Sequence, residues 1–130
     1  MKRIALIAAA LAAAAALPAA ADIYIIASPG LELTADEARQ VFLGDKQFAG
    51  TVKIVPFDNA AAQSEFLTKV LDMSANRYNT LWAKKGFRDG LNPPAVKASD
   101  LEVLNAVKAT PGAVGYVSSA PSGVTVVRKY

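Results

Sequence analysis

The chain begins with a continuous apolar run, Ile4 to Leu17, behind the short positive start Met1-Lys2-Arg3. Beyond it, apolar residues come in short groups separated by polar and turn-forming positions. Ile23 to Ala27 suits a strand buried on both faces, and Ser28-Pro29-Gly30 breaks it. Thr34-Ala35-Asp36-Glu37 has the spacing of a capping box, with Leu33 and Ala38 as a flanking staple. Ala38, Val41 and Phe42 then form an apolar stripe, and Gly44 ends that helix. Val52 to Phe57 reads as a second strand, followed by a helix from Ala60 to Leu71 that buries Phe66, Leu67, Val70 and Leu71.

Ser74 caps a further helix, in which Tyr78, Leu81 and Trp82 stand at i, i+3 and i+4 and Gly86 closes the pattern. Asp89 to Ala98, interrupted by Pro93-Pro94, reads as loop. Ser99-Asp100-Leu101-Glu102 is a second capping box, opening a helix through Leu104 and Val107 to Ala109, and Pro111-Gly112 stops it. Ala113 to Val117 and Gly123 to Val127 are the last two strands. No internal repeat and no long linker divides the chain.

The first apolar run has a different purpose from the rest. Pro18 breaks it, and Ala19-Ala20-Ala21 places small residues where a signal peptidase cleaves. The run falls short of the ~20 residues that span a bilayer. Residues 1–21 therefore read as a secretory signal peptide, with cleavage before Asp22. The expected location is the periplasm or outside the cell, with nothing inserted in a membrane after cleavage. No Cys follows the run, so a lipid anchor is excluded as well.

Composition narrows the chemistry. The 130 residues contain no Cys and no His, which removes disulfides, thiolate metal sites, cysteine nucleophiles and imidazole bases. No enzyme is expected, because no Lys, Tyr or carboxylate is isolated by its spacing as a catalytic group. No cofactor is implied, and the acidic residues form no cage for a metal ion. The formal net charge of +3 falls to +1 once Lys2 and Arg3 leave with the leader. A nucleic-acid partner is accordingly not implied.

Several pieces, taken in order, resemble one family. They are Thr34 to Gly44, the strand into Pro56-Phe57-Asp58, the series Phe66, Trp82, Phe87, then Asn92-Pro93-Pro94, and finally Pro111-Gly112-Ala113-Val114-Gly115-Tyr116-Val117. Together they resemble the phosphate-type periplasmic solute-binding proteins, in a short, single-lobe form covering residues 22–130. The resemblance implies an α/β fold: one lobe of a type 2 periplasmic binding protein, a mixed sheet flanked by helices. The strands at Ile23, Val52, Ala113 and Gly123 are expected in a single sheet.

The same resemblance implies where a ligand sits. In that family phosphate lies at helix N-termini, assisted by an Arg and by a Ser-Gly-Thr turn after the second strand. The positions matching the turn are Ala60, Ala61 and Ala62, the Arg position is Pro56, and the acidic residue before the turn is kept as Asp58. The expected site is Ser28, Asp58, Asn59, Ala60, Ala61, Ala62, Gln63 and Ser64. The amides of Ala60 to Gln63 would donate to an oxyanion, helped by the side chains of Gln63 or Ser64, facing the Ser28-Pro29-Gly30 loop. Read without the resemblance, Asp58-Asn59 is a helix N-cap. Arg77, Lys84 and Arg88 share a helix face that could gather an anion or simply be solvated. Tyr78 and Trp82 read as core.

The function this supports is an exported solute-binding-like domain, related to phosphate ABC transporter substrate-binding proteins, that binds phosphate or another oxyanion weakly. Its partners would be a transporter or a second chain, because one lobe supplies only half a cleft. The alternative is a ligand-free structural or interaction domain of the cell envelope that kept the lobe fold.

Overall fold

The computed structural model describes residues 22–130, so the predicted signal peptide lies outside the described residues. The chain forms β1 (Tyr24–Ala27), α1 (Ala35–Phe42), a small hairpin of β2 (Phe48–Ala49) and β3 (Val52–Lys53), and β4 (Val55–Asn59). A short helix α2 (Gln63–Phe66) runs straight into a π-helical turn, Leu67–Leu71. Then come α3 (Ala75–Asp89), β5 (Ala95–Lys97), α4 (Asp100–Ala109), β6 (Ala113–Val117) and β7 (Thr125–Lys129).

Five of these strands make one mixed sheet in the order β5-β4-β6-β1-β7. β4 pairs in parallel with β5 and β6, whereas β1 is antiparallel to both β6 and β7. The expected α/β sheet flanked by helices is present. The segment read as one strand from Val52 divides, however. Val52–Lys53 turns back on Phe48–Ala49, and only Val55 onward joins the main sheet. Pro56 is tolerated inside β4 because Val55 donates its N–H toward β6, to Gly112 O at 2.9 Å, so position 56 faces the other way. On that side β5 begins pairing only at Phe57.

Two apolar layers cover the sheet. One face packs Ile25, Val114 and Tyr116 against Phe42 of α1, Phe66 of α2 and Trp82 of α3. Phe66 and Tyr116 lie ring on ring at 3.8 Å and 1°, and Phe42 meets both edge-on at 4.9 and 5.6 Å. Ring quadrupoles prefer offset or edge contacts, so the face-to-face pair is held by burial and by the edge contacts of Phe42. The other face is covered by α4 alone, whose Val103 and Val107 pack on Ile26, Phe57 and Val117. Gly115 permits that approach, because a Cβ there would stand 2.8 Å from Val103 Cγ1.

Local signals account for the helix starts. The Thr34 box is complete: Thr34 Oγ1 accepts from the Glu37 N–H and Glu37 Oε1 accepts from the Thr34 N–H. Ser99 makes the hydroxyl half of its box with the Glu102 N–H at 3.3 Å. Several boundaries differ from the sequence expectation, among them the helix expected from Ala60, which starts at Gln63. α3 runs through Gly86 and stops at Gly90, which takes the left-handed cap at φ 70°. Ala95–Lys97 is a strand rather than loop, and β7 starts at Thr125 rather than Gly123.

Candidate functional site

β4 delivers Asp58 and Asn59 to the carboxyl end of the parallel strands, the usual position for ligands in open α/β sheets. Alternation along β4 sends Phe57 to the α4 layer and Asp58 to the opposite one. Asp58 is only 2% exposed. Its Oδ1 accepts from Tyr116 OH at 2.7 Å and its Oδ2 from Tyr78 OH at 2.9 Å. Burial pushes its carboxyl above the ordinary carboxylate range, and the hydrogen bonds from Tyr116, Tyr78 and Gln63 only partly offset this. Burial likewise raises both tyrosine hydroxyls, with the Asp58 charge adding to the effect, so they stay protonated donors.

Asn59 is fully buried and organises the neighbouring turn. Its Nδ2 donates to Asp100 Oδ1 at 2.7 Å and to Tyr116 O at 3.0 Å, and its Oδ1 accepts from the Ala61 N–H at 3.0 Å. Asp100, at the start of α4, uses Oδ2 for the Ser118 N–H and for the hydroxyls of Ser118 and Ser119. Burial alone would raise the Asp100 carboxyl. Its donors, led by Ser118 and Asn59, outweigh that and hold it below the ordinary range. Two carboxylates joined through one residue are thus pushed in opposite directions.

Asp58 forms the floor of an open cleft of about 680 Å³ walled by Gln63, Tyr78, Asn79, Phe87, Asn92 and Pro93. Val96 of β5 closes one side. No Lys or Arg stands among the lining residues. The cleft lining therefore combines a buried carboxyl that already accepts from Tyr78 and Tyr116, side-chain amides and apolar walls, without a cationic side chain.

The expected site residues are only partly brought together. Asp58, Asn59, Ala60, Ala61, Ala62, Gln63 and Ser64 are contiguous at this end of the sheet. Ser28 is not there. Because β1 runs antiparallel to β6, its last residue lies at the start of β6, where Ser28 N donates to Ala113 O and Ser28 Oγ accepts from the Gly112 N–H at 3.1 Å. Ala113 pairs with Val55, so Ser28 sits beside the beginning of β4, about 10 Å or more from Asp58 along that strand. The Ser28-Pro29-Gly30 loop cannot face Asp58, and Ser28 instead latches the turn before β6.

The alanine amides are also committed. The N–H groups of Ala60, Ala61 and Ala62 donate to Lys97 O, Asn59 Oδ1 and Asn59 O. Asn59 does not cap α2: the cap position is Ala62, which makes no side-chain bond. Trp82 is core, as expected, its Nε1 donating to Phe42 O at 3.1 Å. Tyr78 is core through its ring and also lines the Asp58 cleft. Tyr116 was missed as a site residue, although a tyrosine within the apolar run Ala113 to Val117 must bury its hydroxyl against some acceptor.

Asp58 gives the protein a pH signature. Its folded-state proton affinity exceeds that of the unfolded chain, so the stability tied to this group is greatest in acid. It is lost as pH rises from the ordinary 3.8 through the raised value. Asp100 contributes the opposite slope, gained as pH rises toward and past 3.8. Asp58→Asn is expected to remove the first decline, so the variant's stability relative to the unaltered protein rises between acid and neutral pH. Urea midpoints measured across that range check this, and parallel curves would contradict it.

These elements form a mixed five-stranded sheet flanked by helices, an arrangement similar to part of several solved structures. Comparison with solved structures finds PstS from Borrelia burgdorferi at TM-score 0.53 and 19% identity, covering 75% of this chain and 41% of that one. An ABC-type phosphate transport receptor from Vibrio cholerae matches at TM-score 0.52 and 16% identity, over 83% and 46% of the two chains. A Clostridium perfringens protein solved with bound phosphate matches at TM-score 0.52 and 16% identity, over 83% and 45%. At these identities the likeness is one of fold. The chain spans less than half the length of each of these proteins. No protein-family model and no curated protein matches it. Among the described residues, no helix is long and apolar enough to cross a membrane.

Proposed function

We propose that residues 22–130, released from residues 1–21 as a signal peptide, act as an exported single-lobe solute-binding domain. Its ligand is a small oxyanion that carries a proton, such as hydrogen phosphate. The observation that carries this reading is the buried Asp58 carboxyl at the floor of a cleft without Lys or Arg. A fully ionised oxyanion there meets uncompensated negative charge. A P–OH group instead donates to the carboxylate, with Gln63 and Asn92 as donors to the remaining oxygens. The structural neighbours include a phosphate transport receptor and a protein solved with bound phosphate, which supports the same ligand class. The protein holds and releases this ligand rather than transforming it, and a transporter or second chain closes over the open side.

The affinity is weak, with a dissociation constant on the order of 0.1–10 mM, because the amides of Ala60 to Ala62 serve the chain's own acceptors. That commitment is also the observation favouring the second reading, a lobe that lost its ligand and serves as an interaction domain. Calorimetry with phosphate and sulfate at neutral pH separates the two. Phosphate should bind in the range given, with sulfate at least about tenfold weaker because it lacks the proton. Asp58→Asn should bring the two within about threefold, since the amide can donate to sulfate as well. Equal affinity for both anions in the unaltered protein, or no heat with either, would overturn the oxyanion reading.

A further inference from the structure

α3 borders two hollows with different residues. Its Tyr78, Asn79, Trp82, Ala83, Gly86 and Phe87 belong to the Asp58 cleft. Its other flank, with Arg77, Leu81, Lys84, Lys85 and Arg88, lines a separate groove of about 400 Å³ floored in part by Met73. Four cations and no carboxylate line this groove. Lys85 is bound to Asp45 at 2.7 Å, and Arg88 has only an exposed contact with its neighbour Asp89. Arg77 and Lys84 are exposed, and neither forms an ion pair among the described residues. The chain beyond residue 21 carries a net charge of only +1, so this flank is a local concentration of positive charge.

We infer that this groove is the docking surface for an acidic segment of a partner protein, one that seats an apolar side chain between Met73 and Leu81 while its carboxylates meet Arg77, Lys84 and Arg88. Charge complementarity selects the sign of the partner, and the apolar floor selects a side chain over a bare anion. A protein segment fits better than a membrane surface. The cations surround a hollow rather than a broad apolar face, and Phe87 is the only large apolar side chain of α3 that stands free in solvent. This surface is distinct from the Asp58 cleft, and the inference does not depend on the oxyanion reading.

The test is an amide-resonance titration of the purified protein at low salt with a synthetic peptide in which one Leu is flanked on each side by three Glu. Shifts should concentrate on Asn76 to Arg88, and binding should weaken as salt is added. Arg77→Glu combined with Lys84→Glu, both exposed and remote from the core, should lower the affinity about tenfold or more without altering the circular dichroism spectrum. Replacing the Leu of the peptide by Ser should weaken binding several-fold. The inference is overturned if the peptide does not bind, if the charge-reversed variant binds it equally, or if a Lys-for-Glu peptide binds as well. It is also overturned if anionic phosphatidylglycerol vesicles, rather than the peptide, are what Arg77 and Lys84 retain.

Discussion

Gly112→Ala is expected to remove about 3–5 kcal/mol of stability, enough to threaten folding of a domain this size. Gly112 sits at φ 80°, where a side chain is already strained, and an added Cβ would run into the Lys53 carbonyl oxygen and meet Val52 Cγ1 at 3.1 Å. The obstacle is backbone, so it cannot swing aside. The same residue joins three segments: its N–H donates to Ser28 Oγ, its C=O accepts from Val55, and Ala113 after it opens β6. Displacing it therefore loosens β1, β4 and β6 together. Urea unfolding of the variant measures the loss. A change below about 1 kcal/mol would show that the β2–β3 hairpin moves freely away from this turn.

Phe66→Ala should cost about 3–5 kcal/mol, the range for removing a buried aromatic ring. Phe66 is fully buried, stacked on Tyr116 and met edge-on by Phe42. The cavity opens beside the ring whose hydroxyl holds Asp58, so the effect reaches the cleft as well. Phe66→Leu should recover part of the loss by refilling volume. Thermal melts of both variants are the check, and an alanine variant as stable as the unaltered protein would contradict the packing described.

The same residues explain what could be read from the chain beforehand. Thr34, Ser74 and Ser99 each announced a helix because a cap is a contact within a few residues, and each hydroxyl accepts the expected N–H. Asp58 entered only through the family resemblance, as the acidic residue before the alanine turn, because its local pattern reads as a helix N-cap. β5 was not legible. Three residues behind Pro93-Pro94 carry no periodicity of their own, and Ala95–Lys97 becomes a strand only because β4 offers an open edge. The direction of β1 was equally hidden, since an apolar run reads the same both ways, and that is why Ser28 was placed at the wrong end of the sheet.

The hydroxyls on Asp58 show the same limit. Tyr78 and Tyr116 lie 20 and 58 residues from the carboxylate in sequence, and no local pattern joins them. Each looked like core, and each is core through its ring. What the sequence hides is where the fold aims each oxygen. The alanine turn was visible in the sequence, but the fate of its amides depended on Lys97 O and the Asn59 side chain, partners supplied by the unrecognised strand and by the fold around α4.

Ligand entry into the cleft above Asp58 is tested most directly by amide-resonance mapping with inorganic phosphate. The prediction is a saturable set of shifts at Asp58 to Glu65, Tyr78 and Asn92 to Val96. Shifts confined to Arg77, Lys84 and Arg88, or no saturable shifts at all, would contradict it.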